Sequence, residues 1–396
     1  MKNSRREFLK LSGLASASLF MPRFLQGLGD TAFGRPDRKL VIIQQSGGND
    51  GLNAFVPYRN DRYYRARPRL SIGPGEVLPL NDELGLNPSL APLRELYDQG
   101  WLSLVNSVGY PNPDRSHFRA MDIWHSGSNS DEYWESGWLG RYLDHACSGS
   151  EASPQVVEVD DLLSLAVKGE QRTGLGVRDP QRLYRATQDE WIGHLSQQPS
   201  SGSEELDFLY KTLTDTRQSA AYLYEKSRVF RSKVDYPASP LGRDLKLVSE
   251  LICSGVETSV FYVSLSGFDT HVRQRGPHDR LLSGYSEAVA AFVKDLQQND
   301  RLDQTLILTF SEFGRRVEEN ASGGTDHGKA NSLSLIGGQL KQPGVFNPAP
   351  DLSRLDDGDL GFAVDFREVY TTLLRDWLEV DAEVILRRKF PGLPLV

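Results

Sequence analysis

Runs of consecutive apolar residues punctuate this chain at wide intervals. Leu40-Val41-Ile42-Ile43, Val260-Phe261-Tyr262-Val263-Ser264-Leu265 and Leu306-Ile307-Leu308-Thr309-Phe310 are near-continuous rather than alternating, the pattern of strands buried on both faces. Residues 101–107, 155–159 and 332–336 read as further strands. Helical patterns lie between them at 90–99, from Arg115 through Met121 and Trp124, at 138–146, 285–296 and 366–378. The middle, from about 174 to 235, is mostly helical, with Leu206, Leu209, Tyr210 and Leu213 as one apolar stripe and a Ser/Gly/Pro-rich loop at 197–205. Residues 54–90 are irregular. Short apolar runs separated by helices predict a parallel α/β sheet. No repeat or sharp boundary divides the chain, so residues 39–396 are expected to form one domain with a helical insertion at about 174–235.

In such a sheet the ligand site lies outside the carboxyl ends of the strands, and that is where the acids and histidines of this chain fall. Four short strings carry them: Ser46-Gly47-Gly48-Asn49-Asp50-Gly51-Leu52-Asn53, Gly267-Phe268-Asp269-Thr270-His271, Ser311-Glu312-Phe313-Gly314-Arg315 and Gly324-Thr325-Asp326-His327-Gly328. Asp269 and His271, two apart in an extended loop, present both side chains to one side. Asp326 and His327 follow in a later loop. Glu312 at the buried end of a strand needs a charge partner, and Asp50 stands among glycines that permit close backbone approach. Together Asp50, Asp269, His271, Glu312, Asp326 and His327 read as ligands for one or two divalent ions, with zinc, manganese, calcium and magnesium all compatible. Plainer roles exist for each: an Asx-turn for Asp269, a salt bridge to Arg315 or Arg316 for Glu312, a turn residue for Asp50.

Ser116 opens a helix, where amide groups and the helix dipole favour an anion. It is the candidate nucleophile, although an ordinary N-cap serine would sit in the same place. Arg115 and Arg119 flank it and, with Asn53, are the candidate substrate-binding residues. His117, His125, His145, His194 and His278 have weaker claims, His278 the strongest among them. Trp124, Trp134 and Trp138 are read as core or rim packing.

Composition sharpens this little. The chain has 396 residues, 39% of them hydrophobic, and a formal charge of -8 with a pI near 5.5, and no basic tract to bind nucleic acid. Cys147 and Cys253 have no metal-ligand spacing and read as buried thiols rather than a disulfide. The N-terminus is more telling. Ser4-Arg5-Arg6-Glu7-Phe8-Leu9-Lys10, followed by a short Gly/Ala/Ser-rich apolar stretch, has the layout of a twin-arginine export signal. The leader is expected to end near residue 38, with the twin-arginine translocase as partner, no further membrane span, and a periplasmic or extracellular destination.

The strings Gly-Gly-Asn-Asp-Gly-Leu-Asn, Arg-Ser-His-Phe, Gly-Phe-Asp-Thr-His, Ser-Glu-Phe-Gly-Arg and Asp-His-Gly, in that order behind a twin-arginine leader, resemble the bacterial domain-of-unknown-function family 1501. That family is grouped with the alkaline phosphatase and sulfatase-like fold. The resemblance implies an α/β fold with a mostly parallel central sheet, helices on both faces and a two-metal site at strand ends. It would set Asp50 as the first-strand metal aspartate, Ser116 as nucleophile, Asp269 and His271 as the pair on one metal, Glu312 as a later strand-end acid, His327 as the final histidine and Asp326 as an extra ligand. Two departures stand out. Ser116-His117-Phe118-Arg119 lacks the proline of the formylglycine string, and Glu312-Phe313 replaces the usual Asp-His. The expectation is an exported metal-dependent hydrolase of small anionic phosphate or sulfate esters. The alternative is a secreted binding or assembly protein that keeps the fold and a structural metal.

Overall fold

The computed structural model describes residues 37–146, 153–195 and 203–396. The export signal and Cys147 lie outside the described residues. The central sheet is built from β1 (Lys39–Ser46), β2 (Leu102–Gly109), β3 (Val156–Glu158), β4 (Leu175–Gly176), β5 (Val260–Ser266), β6 (Thr305–Phe310), β7 (Asn331–Ile336), β8 (Gly344–Val345) and β9 (Val364–Asp365). Its order is β8-β2-β7-β6-β1-β5-β3-β4, with β9 also beside β2. Every pairing is parallel except those of β7, which runs antiparallel to β6 and β2. The fold is therefore α/β with a mostly parallel central sheet, as expected.

Helices cover both faces because the strands are apolar on both. Leu40, Ile42, Tyr262, Leu308 and Phe310 point into one core layer with Ile123 and Trp124 of α2 (His117–Ser126), Trp138 of α3 (Trp138–Ala146) and Tyr370. Val41, Ile43, Phe261, Val263 and Ile307 point into the other, with Leu93 of an eight-residue helix (Ala91–Asp98), Val248 of Pro240–Cys253 and Phe292 of Arg275–Gln298. Trp124 stacks between Phe310 and Phe366, with ring centroids 4.7 and 4.4 Å away. Trp138 stacks on Tyr370 and Trp134 lies under Arg141 and Arg387. The tryptophans are thus packing residues, as their sequence positions suggested. Cys253 is half-buried, and burial pushes its thiol up to about 11, which disfavours the reactive thiolate.

Three elements differ from the sequence reading. Arg275–Gln298 begins ten residues before the expected 285. Pro277 does not break it, because a proline in the first turn removes an amide that has no intrahelical partner. Residues 54–90 hold a small antiparallel sheet (Phe55–Val56, Leu78–Pro79, Gly85–Leu86) and a helix, Asp61–Ala66. The C-terminal helix is regular over Phe366–Thr372 and continues as a wide turn over Leu373–Trp377. Among the described residues no helix is long and apolar enough to cross a membrane.

Register brings the strand ends level. Ser46 pairs with Ser266, and Gln44 with Phe310. The loops after β1, β5 and β6 therefore leave the same rim. β2 runs in the same sense and ends there too. The antiparallel β7 starts there, with Asn331 opposite Val108.

Candidate metal centre

Four loops meet at this rim, and two glycines set how closely. At Gly47 (φ 117°) a Cβ would lie 2.4 Å from the amide nitrogen of Asp269. At Gly324 a Cβ would lie 2.2 Å from the carbonyl of His271. No side chain larger than hydrogen fits either position without moving the loop that carries a candidate ligand. Arg315, fully buried, stitches the same loops together. Its Nε donates to the Gly48 carbonyl at 2.7 Å, Nη2 to the carbonyls of Gly47 and Phe268 (2.9 Å), and Nη1 to that of Thr325 at 2.9 Å. Nη2 also meets Asp269 Oδ1 at 2.8 Å.

Asp269 Oδ1 is the hub. His271 Nε2 lies 2.9 Å from it, His327 Nε2 3.1 Å and His117 Nε2 3.4 Å. The ligand atoms of His117, Asp269 and His327 all fall within 4.8 Å of one another, and His271 Nε2 is 2.9 Å from His327 Nε2. Each imidazole is held by its other nitrogen on an oxygen. His117 Nδ1 is 2.9 Å from Glu312 Oε1, His271 Nδ1 is 3.3 Å from Asp326 Oδ1, and His327 Nδ1 is 2.8 Å from the Arg115 carbonyl. A carbonyl or carboxylate oxygen only accepts. The Nδ1 atoms must therefore carry protons, and each ring turns its Nε2 toward Asp269. This is the outer support that metal-ligating histidines have.

Two observations test the fit. The buried His117 Nε2 makes no hydrogen bond, although Asp269 is within ion-pair range. At 2.9 Å the Nε2 atoms of His271 and His327 can be neither both bare nor both protonated without repulsion. They share one proton, or a metal takes its place. The residues present fit a divalent ion, and three imidazoles with one carboxylate suit zinc and its transition-metal neighbours better than calcium or magnesium. The electrostatics agree. Burial works against the charge on Asp269, but hydrogen bonds from Arg315 and His327 hold its carboxyl far below the usual range. The hydrogen bond to Glu312 raises the pKa of His117. Asp269 and His271 remain 49% and 39% exposed, so the centre opens to solvent.

The other expected site residues lie elsewhere. Asp50 is not in the cluster. It is 1% exposed and ion-paired with Arg67 at 2.7 Å, and also accepts from Gln274. Burial alone would raise its pKa, and the Arg67 charge overrides that and lowers it. Asn53 joins the same network, accepting from Arg67 and Tyr63 and donating to the Leu70 carbonyl, so its amide is committed inside the fold. Glu312 and Asp326 stand behind histidines rather than in the cluster. Glu312 Oε1 also accepts from the Gly47 amide at 2.8 Å, and Asp326 Oδ1 from Asn320 at 3.1 Å. Arg119 is buried. It donates to the carbonyls of Asn129, Ser130 and Glu132 and stacks on Tyr133, which removes it from substrate binding. The Arg115 guanidinium pairs with Asp359 and Asp357. His278 bonds Asn49 Oδ1 at 2.8 Å in the core. Ser116 is exposed at the N-cap of α2, and its side chain makes no capping bond.

His117 is the residue the sequence reading ranked too low. A signal for it exists: His117, Met121 and His125 recur every four residues on one helix face. That face meets polar strand ends. Met121 Sδ accepts from Gln44 Nε2 at 3.0 Å, and His125 Nε2 sits 3.1 Å from both Gln44 Oε1 and the Tyr262 hydroxyl.

No curated protein matches the chain by sequence. Among solved structures it is similar to the C-terminal periplasmic domain of EcEptC from Escherichia coli in complex with Zn, at 12% identity over 76% of this chain and 73% of that one, TM-score 0.39. It is similar to the PsFucS1 sulfatase from Pseudoalteromonas sp. at 12% identity, 99% and 75% coverage, TM-score 0.40. It is also similar to TAB5 alkaline phosphatase at 8% identity, 77% and 91% coverage, TM-score 0.34. The sequence pattern of one family, described as "Protein of unknown function (DUF1501)", matches residues 104–375. The match spans β2 through the wide turn after the C-terminal helix and includes His117, Asp269, His271 and His327, and the chain belongs to that family.

Proposed function

We propose that this protein is an exported, metal-dependent hydrolase of phosphate or sulfate esters, with one divalent transition metal held by His117, Asp269, His271 and His327. The observation that carries the reading is the convergence of three Nε2 atoms on one carboxylate, each ring locked from behind, at an open strand-end rim. A metal there would supply Lewis-acid polarisation of an ester oxygen. Glu312 and Asp326 orient His117 and His271, and Arg315 holds the loops in register. Ser116 is the side-chain nucleophile of this reading. It directly precedes His117, is exposed, and keeps its hydroxyl free of capping duty at a helix start that favours an anion. The twin-arginine string at Ser4–Lys10 and the apolar stretch behind it support the export part of this reading.

One observation favours a second reading. Four protein ligands are what closed structural zinc sites use, and neither Arg115 nor Arg119 is free to hold an anion. A secreted binding or assembly protein with a structural metal would need nothing more. Elemental analysis of the purified protein, with Asp269→Ala and His327→Ala beside it, is expected to find near one equivalent of metal, lost in both variants. A phosphate and sulfate ester screen with Ser116→Ala as control then separates the two readings. Activity that falls at least about 100-fold in Ser116→Ala supports the hydrolase. Absence of turnover with metal in place supports the binding protein, and absence of metal overturns the centre.

A further inference from the structure

A short hairpin far along the chain grips two loops of the site, one of them at two points. Leu355–Asp356 pairs antiparallel with Asp359–Leu360 through a turn in which Asp357 (φ 55°) and Gly358 (φ 80°) are left-handed. The Arg115 guanidinium meets Asp359 Oδ2, and lies 3.4 Å from Asp357 Oδ2. Arg316 Nε is 3.3 Å from Asp359 Oδ1, and Lys329 Nζ is 2.7 Å from Asp356 Oδ2. Each cation belongs to a loop of the centre: Arg115 shortly before His117, and Arg316 and Lys329 in the one β6–β7 connection, shortly after Glu312 and His327.

Asp359 differs from its neighbours. Its carboxylate has no exposure while Asp357 is 78% exposed, so Asp359 holds its partners with less solvent screening than Asp357 does. It also reaches the centre along one covalent step. The carbonyl of Arg115 accepts the Nδ1 proton of His327 at 2.8 Å. The segment carrying that carbonyl, residues 111–116, is exposed or half-exposed throughout. The guanidinium of Arg115 is its inward anchor, and Asp359 is what the anchor grips.

We propose that Asp359 is a positioning residue for the centre: by fixing Arg115 it sets the tautomer and orientation of His327. This rests on the metal reading given above. Cobalt(II) titration, read by visible absorption, compares wild type with Asp359→Asn and Asp357→Asn. Asp359→Asn is expected to weaken cobalt binding at least about tenfold, the scale of lost outer support for a histidine ligand, and to alter the absorption band. Asp357→Asn is expected to stay within about twofold, as an exposed pair should. Nitrogen-15 histidine spectra of the metal-free protein give a second readout. The Nδ1–H tautomer of His327 should dominate in wild type and be lost in Asp359→Asn. Unchanged cobalt affinity with an unchanged His327 tautomer overturns the proposal. A wild type that takes up no cobalt overturns the metal reading instead, and the histidine spectra alone then decide for or against Asp359. Should Asp359→Asn fail to fold, Arg115→Gln cuts the same anchor but keeps the carbonyl, and the same loss is expected.

Discussion

Which carboxylates join the histidine cluster and which stand behind it is decided by neighbours that the sequence does not place. The strings bring Asp269, His271 and His327 forward, and the structure gathers their side chains at one rim. Asp50 and Glu312 looked the same as Asp269, each an acid just past an apolar strand. What separates them is company. Arg67 comes from the stretch that read as irregular, and its guanidinium claims Asp50 inside the fold. His117 claims Glu312. Asp50→Asn should therefore leave metal stoichiometry unchanged in the folded protein while lowering stability by about 3–5 kcal/mol, the cost of stranding a buried guanidinium. Denaturant melts and elemental analysis check both halves, and a folded Asp50→Asn without metal would make Asp50 a ligand after all. Glu312→Gln is expected to act the opposite way. The amide oxygen still accepts from His117, so the fold persists, but the lost charge should weaken metal binding about tenfold, measured by competition with a chelator.

The elements were read well where their apolar period was unambiguous, and poorly where position excused a breaker. The first three strands named, the helix at Trp138 and the opening of α2 at Ser116 fall where expected. Helix Arg275–Gln298 starts ten residues before the expected 285, and Gly276 and Pro277, residues that end a helix elsewhere, both occupy its first turn. The loop after β1 shows the reverse case, in which glycine is needed for approach rather than for flexibility. Gly47→Ala forces a Cβ against the Asp269 amide at a positive φ. It is expected to cost at least about 1–3 kcal/mol and to lower metal affinity with it, because the strain falls on the loop of the hub carboxylate. Calorimetry of the apo and metal-loaded variant reads both. Equal melting temperatures to wild type would show that the loops part without cost.

At the scale of the molecule, a buried acid away from the centre gives the fold a pH signature. Burial pushes Glu158 up to about 7 from an ordinary 4.5, against hydrogen bonds from the Ser164 amide and hydroxyl. The folded pKa lies above the unfolded one, so the folded state binds the proton more tightly. The contribution of Glu158 to stability is thus full below pH 4.5 and is lost as pH rises through 7. The shift corresponds to about 3 kcal/mol at most. Buried His125, held down to about 4 by desolvation, works in the other direction over the acid range. The difference between wild type and Glu158→Gln isolates the acid: the variant should gain relative stability from pH 5 to pH 8 in denaturant melts, and parallel curves would show that Glu158 titrates normally.

The rim has a consequence in time. Its loops leave β1, β2, β5 and β6 and enter β7, so the centre draws on chain from Lys39 to Ile336. Neighbouring strands β1 and β5 are separated by more than half the chain, and contacts of that range form slowly. No nascent chain that stops before Asn331 contains the rim, and no partly folded one presents Asp269 to all three imidazoles. A metal held there would therefore be captured late, once the sheet is complete, and a chain released early would go without.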